Sequence, residues 1–367
     1  MCLRRKVRSD LDSPLVVNGY RQSACNQLRR EGLLCASIRS RLACGAALRS
    51  ARGDFLRLKI AYIILVHKNP EQLTRLVSRL NSSEASFFIH IDKKTKNEVY
   101  RQFVNGLGHL PNVYFLKRYL SRWGEFGLVR ATLEGIGEVL RRQPSAGYVA
   151  LLTGQDYPIK TNDYISTFLE RSAGRSYLDL HPVPCRDWPE AATRLRSWHV
   201  CMLGKPFLLP RRNAGLVILR TPRKWPIHVL SYCMPKKRRP LRGYTPYTGS
   251  AQWVMSKACA QYVDEFVKRE ASFVRYFKYV CCPDELFFQI VLGNSELAEG
   301  NAGHNLHHTD WCMGGAHPAV MTVDDLAALV GSPALYARKF DPDVDETIYR
   351  LIDETILGIP PYRPADA

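Results

Sequence analysis

From residue 58 to residue 153 the chain alternates short β-branched apolar runs with longer segments of helical period. "LKIAYIILV" reads as a buried strand, and "NPEQLTRLVSRLN" follows with Leu73, Leu76, Val77 and Leu80 at helical spacing. "SFFIHI", "NVYFL" and "GYVALLT" repeat the strand pattern, separated by the helical texts "KNEVYRQFVNGL" and "FGLVRATLEGIGEVLRRQ". A strand followed by a helix and then another strand, repeated, makes a parallel sheet with both faces covered. The expected class is therefore α/β, with a mostly parallel central sheet flanked by helices. Such sheets bind ligands beyond the carboxyl ends of their strands, where the strand order reverses.

The residues just past each strand are accordingly the first to inspect. They are His67 after the first strand, Asp92 after the second, Trp123 and Gly124 after the third, and Asp156 after the fourth. Each has a plain structural reading. Asp92 can cap a turn, Asp156-Tyr-Pro is a good turn sequence, and a histidine at a strand end is usually structural. Four such loops at one sheet edge make that edge the candidate site. No Gly-x-Gly-x-x-Gly follows the first strand and no G-x4-G-K-[ST] occurs, which disfavours a dinucleotide oxidoreductase and a P-loop NTPase.

Composition bounds the rest. A chain of 367 residues, 46% hydrophobic, is long enough to bury a large core. Its net charge of +18 is uneven, with twelve Lys/Arg against four Asp/Glu in residues 1–57. That stretch has no sustained helix or strand period and no apolar run of signal-peptide or membrane-anchor type. Residues 1–56 are expected to be a basic leader outside the fold, residues 57–358 a single domain, and residues 359–367 a tail. Eleven cysteines without a C-x-x-C pair argue against a disulfide-stapled fold and a structural zinc site, and point to a reducing, cytoplasmic setting.

The second half mixes several signals. Residues 205–242 interleave Arg and Lys with aromatics and Pro, which suits an irregular lid, an anionic acceptor, or a nucleic-acid or anionic-membrane surface. "GSAQWVMS" reads as a strand carrying Trp253. In "CCPDELFFQIVLGNS", Pro283 fits a first helical turn, with Asp284 and Glu285 at the positive end of the helix dipole. "GHNLHHTDW" offers His304, His307 and His308 without a fixed fourth metal ligand, followed by Asp310 and Trp311. "FDPDVDE" spells Asp-x-Asp twice, a metal-binding spelling, yet Asp343 or Asp345 is also placed to cap the next helix. Just before it, Arg338 and Lys339 end a helix-like segment, 326–336, and stand together in a connection, where two cations can hold an anion.

Seven segments occur in order: "VHKNPEQLTRLVSRL", "FFIHIDKKT", "SRWG", "LLTGQDYPIKTN", "GSAQWVMS", "PDELFFQIVLGNS" and "SPALYARKFDPDVD". Together they resemble the Core-2/I-branching enzymes, grouped with the peptide O-xylosyltransferases as glycosyltransferase family 14. "PDELFFQIVLGNS", "TDWC" and "ARKFD" look nearer the xylosyltransferase branch. The resemblance covers roughly residues 58–355. It lacks the anchor and cysteine framework of animal, Golgi-resident members, and looks like a soluble bacterial relative.

That resemblance implies a Rossmann-like GT-A fold, with a nucleotide-sugar half at 57–170 and an acceptor and catalytic half at 171–358. It implies an inverting, metal-independent transfer from UDP-xylose or UDP-N-acetylglucosamine to a hydroxyl of a peptide or glycan. Glu285 corresponds to the family's catalytic base. Arg338 and Lys339 correspond to the pair that neutralises the diphosphate in place of a metal. His67, Asp92, Trp123, Gly124 and Asp156 fall in the donor-binding loops, and Trp253, Asp310 and Trp311 are weaker acceptor candidates. The branching enzymes carry a further Arg where this chain has Ala316-His317, so that contact does not transfer. The expected partners are a UDP-sugar and its acceptor, with no cofactor, no specific nucleic acid, and at most weak contact with an anionic membrane. Two alternatives stay open: a β-1,6-N-acetylglucosaminyl branching enzyme, and a basic nucleic-acid or anionic-surface binding protein with a degenerate transferase core.

Overall fold

The apolar runs that read as strands do pair, and the order in which they pair sets the site. A computed structural model describes residues 58–202, 205–209, 238–239, 241–312 and 317–363. The expected basic leader, 1–56, and most of the basic 205–242 region lie outside the described residues.

In chain order the elements are β1 (Lys59–Val66), α1 (Pro70–Leu80), β2 (Ala85–Ile91), α2 (Asn97–Leu107), β3 (Val113–Phe115), α3 (Gly127–Arg142) and β4 (Ala146–Thr153). There follow β5 (Asp156–Pro158), α4 (Asn162–Arg171), α5 (Ala191–Arg196), β6 (Trp253–Ser256), α6 (Lys257–Arg269), a 3₁₀ turn (Pro283–Glu285) and α7 (Phe287–Gly293). Next come β7 (His307–Thr309), β8 (Tyr336–Arg338) and α8 (Thr347–Leu351), the last continued by a π-helical segment, Ile352–Leu357.

The central sheet runs β6-β4-β1-β2-β3, with β1 to β4 mutually parallel and β6 antiparallel at one edge. Successive side chains of a strand point to opposite faces, and β1 shows the consequence. Ala61 and Ile63 enter one core with α3 and α6, while Ile60, Tyr62, Ile64 and Val66 enter another with α1, α2 and α4. Both faces are thus covered, as the strand–helix alternation requires and as the Rossmann-like GT-A arrangement expects.

Helix α1 buries Leu73, Leu76, Val77 and Leu80 to 1% exposure or less. Burying each such side chain is worth about 1.5–3 kcal/mol, far above the propensity of an isolated eleven-residue helix. On the other face α3 approaches β1 closely at Gly135, where a Cβ would stand 2.7 Å from Ile63 Cγ2. Strand order reverses between β1 and β4, so the crevice falls at the ends of those two strands.

A smaller sheet, β7-β8-β5, stands next to that crevice because β5 follows β4 after only two residues. Its core holds Tyr157, Phe340 and Tyr349. Two local expectations change here. The helix-like text 326–336 is a short helix, Leu326–Gly331, followed by strand β8. Arg338 therefore ends a strand rather than sitting in a connection, because its backbone pairs with Asp156 on one side and Thr309 on the other.

The second change is at "PDELFFQ". Asp284 and Glu285 do not open a continuous helix. The Glu285 carbonyl accepts from the Gly249 amide at 3.0 Å and from Thr248 Oγ1 at 3.1 Å, which diverts it from the helical ladder. The acids occupy their own 3₁₀ turn, and α7 starts only at Phe287.

Candidate active site

Three loops at the crevice bring cations together. His67 leaves β1 exposed to solvent. Desolvation lowers its pKa first, then Lys68, with Lys339 and Lys94 adding to the effect and Asp92 opposing it. Lys68 Nζ donates to Asp341 Oδ2 at 2.6 Å. Burial opposes ionisation of Asp341, but this hydrogen bond and the Asp343 amide hold its pKa below the usual carboxylate value. Lys339 is half-buried, and desolvation together with Lys68 lowers its pKa. Around one crevice end, then, stand Lys68, Lys94, Lys339 and Arg338, with His67 among them. Closely spaced cations raise one another's energy, and an anion relieves it.

Asp92 is buried, and its Oδ1 accepts the Lys94 amide at 2.8 Å. It ties a turn while biasing His67 and His90 toward protonation. Arg118 clamps the same turn through the carbonyls of Asp92, Lys93 and Thr95.

Trp123 is 52% exposed and meets the His317 ring edge-on, with centroids 5.6 Å apart. Desolvation, Lys339 and Arg338 lower the pKa of His317, which places the indole beside the cationic doublet. Gly124 follows at φ +74°, a conformation that glycine tolerates best. Its carbonyl accepts the Cys282 amide at 3.0 Å and so joins this loop to the acidic turn.

Asp156 is fully buried. Thr153 donates to it from both amide and hydroxyl, each at 2.8 Å, and Arg338 Nε lies 3.3 Å from its Oδ1. A donor-binding contact was expected of Asp156. With no exposed carboxylate oxygen, its role here is to hold Arg338. His307 lies beside this pair without a hydrogen bond to it. Its buried ring hydrogen-bonds the Asn305 carbonyl through Nδ1 at 2.9 Å, and Nε2 stands 3.8 Å from Asp156 Oδ2.

The acidic turn has its own cation. Glu285, with 27% of its side chain exposed, receives Arg194 Nη1 on Oε2 at 2.5 Å. Arg194 comes from α5 and is also paired with Glu190 at 2.9 Å. Burial works to lower the Arg194 pKa, but Glu285, Cys282 and Glu190 raise it overall. Asp284 Oδ1 is buried without a hydrogen-bond partner. Burial and the neighbouring Glu285 push its carboxyl up to about 7, against the pull of Arg194 and Arg338. The field of Arg338 thus reaches Asp156 and Asp284.

The other candidates divide. Trp253 is a correction: it is fully buried in β6 and packs on Phe288 with ring centroids 5.5 Å apart, so it belongs to the core and touches no acceptor. Asp310 and Trp311 follow β7 directly beyond Thr309, the ladder neighbour of Arg338. The Asp310 carboxylate turns back onto Cys312, accepting its amide at 2.7 Å. Asp345 caps the helix after it, accepting the amides of Thr347 and Ile348 at 2.8 and 3.2 Å. Among the described residues, no three His, Cys, Asp or Glu side chains converge as metal ligands would. Arg194 and Lys68 were missed in the sequence. The contacts that matter here, Arg194 to Glu285 and Lys68 to Asp341, join residues far apart in the chain, and no local pattern marks them.

The Core-2/I-branching enzyme family model matches residues 60–187 and 231–329. The chain belongs to the Core-2/I-branching enzyme family. Among curated relatives of this family member, Xylosyltransferase 2 of Rattus norvegicus is 26% identical over 336 residues. The Homo sapiens Xylosyltransferase 2 is 25% identical over the same length, and Xylosyltransferase oxt of Drosophila melanogaster 23% over 334. The matches cover 83–84% of this chain but only 34–35% of those proteins. The family member therefore spans about a third of the length of the curated relatives it matches. Among the described residues, no helix is long and apolar enough to cross a membrane.

Proposed function

We propose that this protein is an inverting glycosyltransferase that moves xylose or N-acetylglucosamine from a UDP-sugar to a hydroxyl of a peptide or glycan, without a divalent metal. The observation that carries the reading is Arg338, paired with buried Asp156 and near enough for its charge to act on Asp284, with Lys339 next to it. Family membership and the xylosyltransferase relatives support the reaction class and favour xylose.

In this mechanism Glu285 takes the proton of the acceptor hydroxyl as its oxygen attacks the anomeric carbon opposite the nucleotide. Arg194 occupies Oε2 and leaves Oε1 for the acceptor. One base is enough for a single displacement, and no covalent intermediate forms. The departing diphosphate gains charge in the transition state, and fixed cations aimed at it stabilise that state more than the ground state. Arg338 supplies a planar fork across two phosphate oxygens, while Lys339 and Lys68 act as point charges. Trp123 offers an exposed aromatic wall for a base or sugar ring.

The test is a panel of nucleotide sugars and free nucleotides scored by thermal shift and by release of nucleotide. A donor binds only the folded state and raises the melting temperature by mass action. UDP-xylose or UDP-N-acetylglucosamine should stabilise the protein more than ADP- or GDP-sugars do. A panel in which uridine nucleotides give no shift would sink the reading.

A further inference from the structure

Beside the acidic turn lies a pair of thiols that the transfer mechanism does not use. Cys281 and Cys282 are neighbours in sequence, and their Sγ atoms lie 3.9 Å apart. Cys282 is buried and Cys281 half-buried. The pair is asymmetric. Hydrogen bonding to Cys282 and the positive field of Arg194 lower the Cys281 pKa against burial, while its hydrogen bond to Cys281 and burial push the Cys282 thiol up. A half-buried sulfur 3.9 Å from a buried one has the layout of an attacking and a resolving thiol.

The backbone of Cys282 ties this pair to the site. Its amide donates to the Gly124 carbonyl at 3.0 Å, and its carbonyl accepts the Glu285 amide at 3.2 Å. Its own φ is +48°. A Cβ on Gly124 would lie 3.7 Å from Cys282 Sγ and 3.9 Å from Cys281 Sγ. Cys282 is thus the joint between the Trp123-Gly124 loop and the turn bearing Glu285.

We propose that Cys281 and Cys282 form an oxidative modification site, where a hydroperoxide converts the vicinal thiols to a disulfide and displaces the Glu285 turn, switching transfer off. The Cys281 thiolate attacks the terminal peroxide oxygen, the O–O bond breaks, and the second oxygen leaves as hydroxide or alkoxide, which is protonated to water or an alcohol. The Cys282 sulfur then attacks the Cys281 sulfenic sulfur, and the hydroxyl departs with the Cys282 proton as water. Two thiols are oxidised and one hydroperoxide is reduced. The sulfurs must close from 3.9 Å to about 2 Å. Cys282 carries its bonds to Gly124 and Glu285 with that movement.

The loss of turnover rests on Glu285 being the base; the thiol chemistry does not. The full chain is reduced, desalted, treated with hydrogen peroxide, alkylated and mapped by mass spectrometry. The peptide holding residues 281–282 should escape alkylation and weigh about 2 Da less, the two hydrogens lost, and dithiothreitol should reverse both effects. Turnover should fall by at least about tenfold and return with the thiols. In Cys282→Ala the sulfenic acid on Cys281 should persist and be captured by dimedone. Cys281→Ser, checked for an unchanged melting temperature, should keep its turnover in peroxide. Full alkylation of both thiols after peroxide, linkage to other cysteines, or direct passage to sulfinic acid would each overturn the site. A 281–282 disulfide with unchanged turnover would overturn the coupling to Glu285. If the reduced protein turns over no donor, the peptide masses still decide the thiol chemistry on their own.

Discussion

Arg338 Nε lies 3.3 Å from the Oδ1 of fully buried Asp156, across the antiparallel pair β5–β8. The two residues are 182 positions apart in sequence and directly opposite in register. A buried carboxylate held by Thr153 attracts the guanidinium beside it by charge, and a cation kept in place stabilises a developing anion better than a mobile one.

The first prediction concerns that anchor. Arg338→Lys keeps a charge but loses the fork, and turnover should drop about 100-fold or more. Asp156→Asn should give a similar loss through Arg338, with weaker UDP binding by calorimetry. Near-normal turnover in both variants would remove the doublet from the mechanism.

Glu285→Gln keeps shape and removes the base. Turnover should fall at least about 100-fold, in the range that general-base catalysis contributes, with UDP affinity nearly unchanged. EDTA should leave wild-type turnover intact. Loss in EDTA with rescue by Mn²⁺ would bring the carboxylates at 341–345 back as ligands.

Trp253→Ala should cost about 3–5 kcal/mol in urea unfolding, the usual penalty for emptying a fully buried Trp site. Trp253→Phe should cost less and leave acceptor KM unchanged. A raised KM in a normally stable Trp253→Phe protein would restore the acceptor-binding role.

Stability should depend on His90. Its ring is buried, Nε2 accepts the Tyr119 amide at 2.9 Å, and burial pushes its pKa from 6.5 to about 4. Between those values the unfolded chain binds a proton that the folded chain refuses, so stability rises with pH across that window. The contribution is fully present above 6.5 and lost as pH falls toward 4, on the order of 3 kcal/mol. Asp284, raised to about 7, acts with the opposite sign in an overlapping window. The measurement is therefore the difference in unfolding free energy between pH 7 and pH 5 for wild type and His90→Gln. Equal differences would show that His90 does not carry the effect.

The strand–helix alternation, the two-sided core and the sheet edge where the loops gather were all legible in the text. Hydrophobic period is a local property, and β1 spells it in eight residues. The 3₁₀ break at Glu285 was not legible, because it depends on an amide at Gly249 and a hydroxyl at Thr248. Trp253 was misread for a related reason. A strand shows which residues alternate, but not which distant side chain packs on each, and Phe288, which seals Trp253, stands in another element.

By itself the sequence determined the class of fold, the family, and the candidate base and doublet, since those rest on periodicity and on motifs in order. Only the tertiary structure decided that Asp156 pairs with Arg338, that Arg194 grips Glu285 on one oxygen, and that Lys68 joins the cations. Those are pairings between charges distant in sequence. A chain specifies them only through the register of its strands and the burial that makes an unpaired charge too costly to keep.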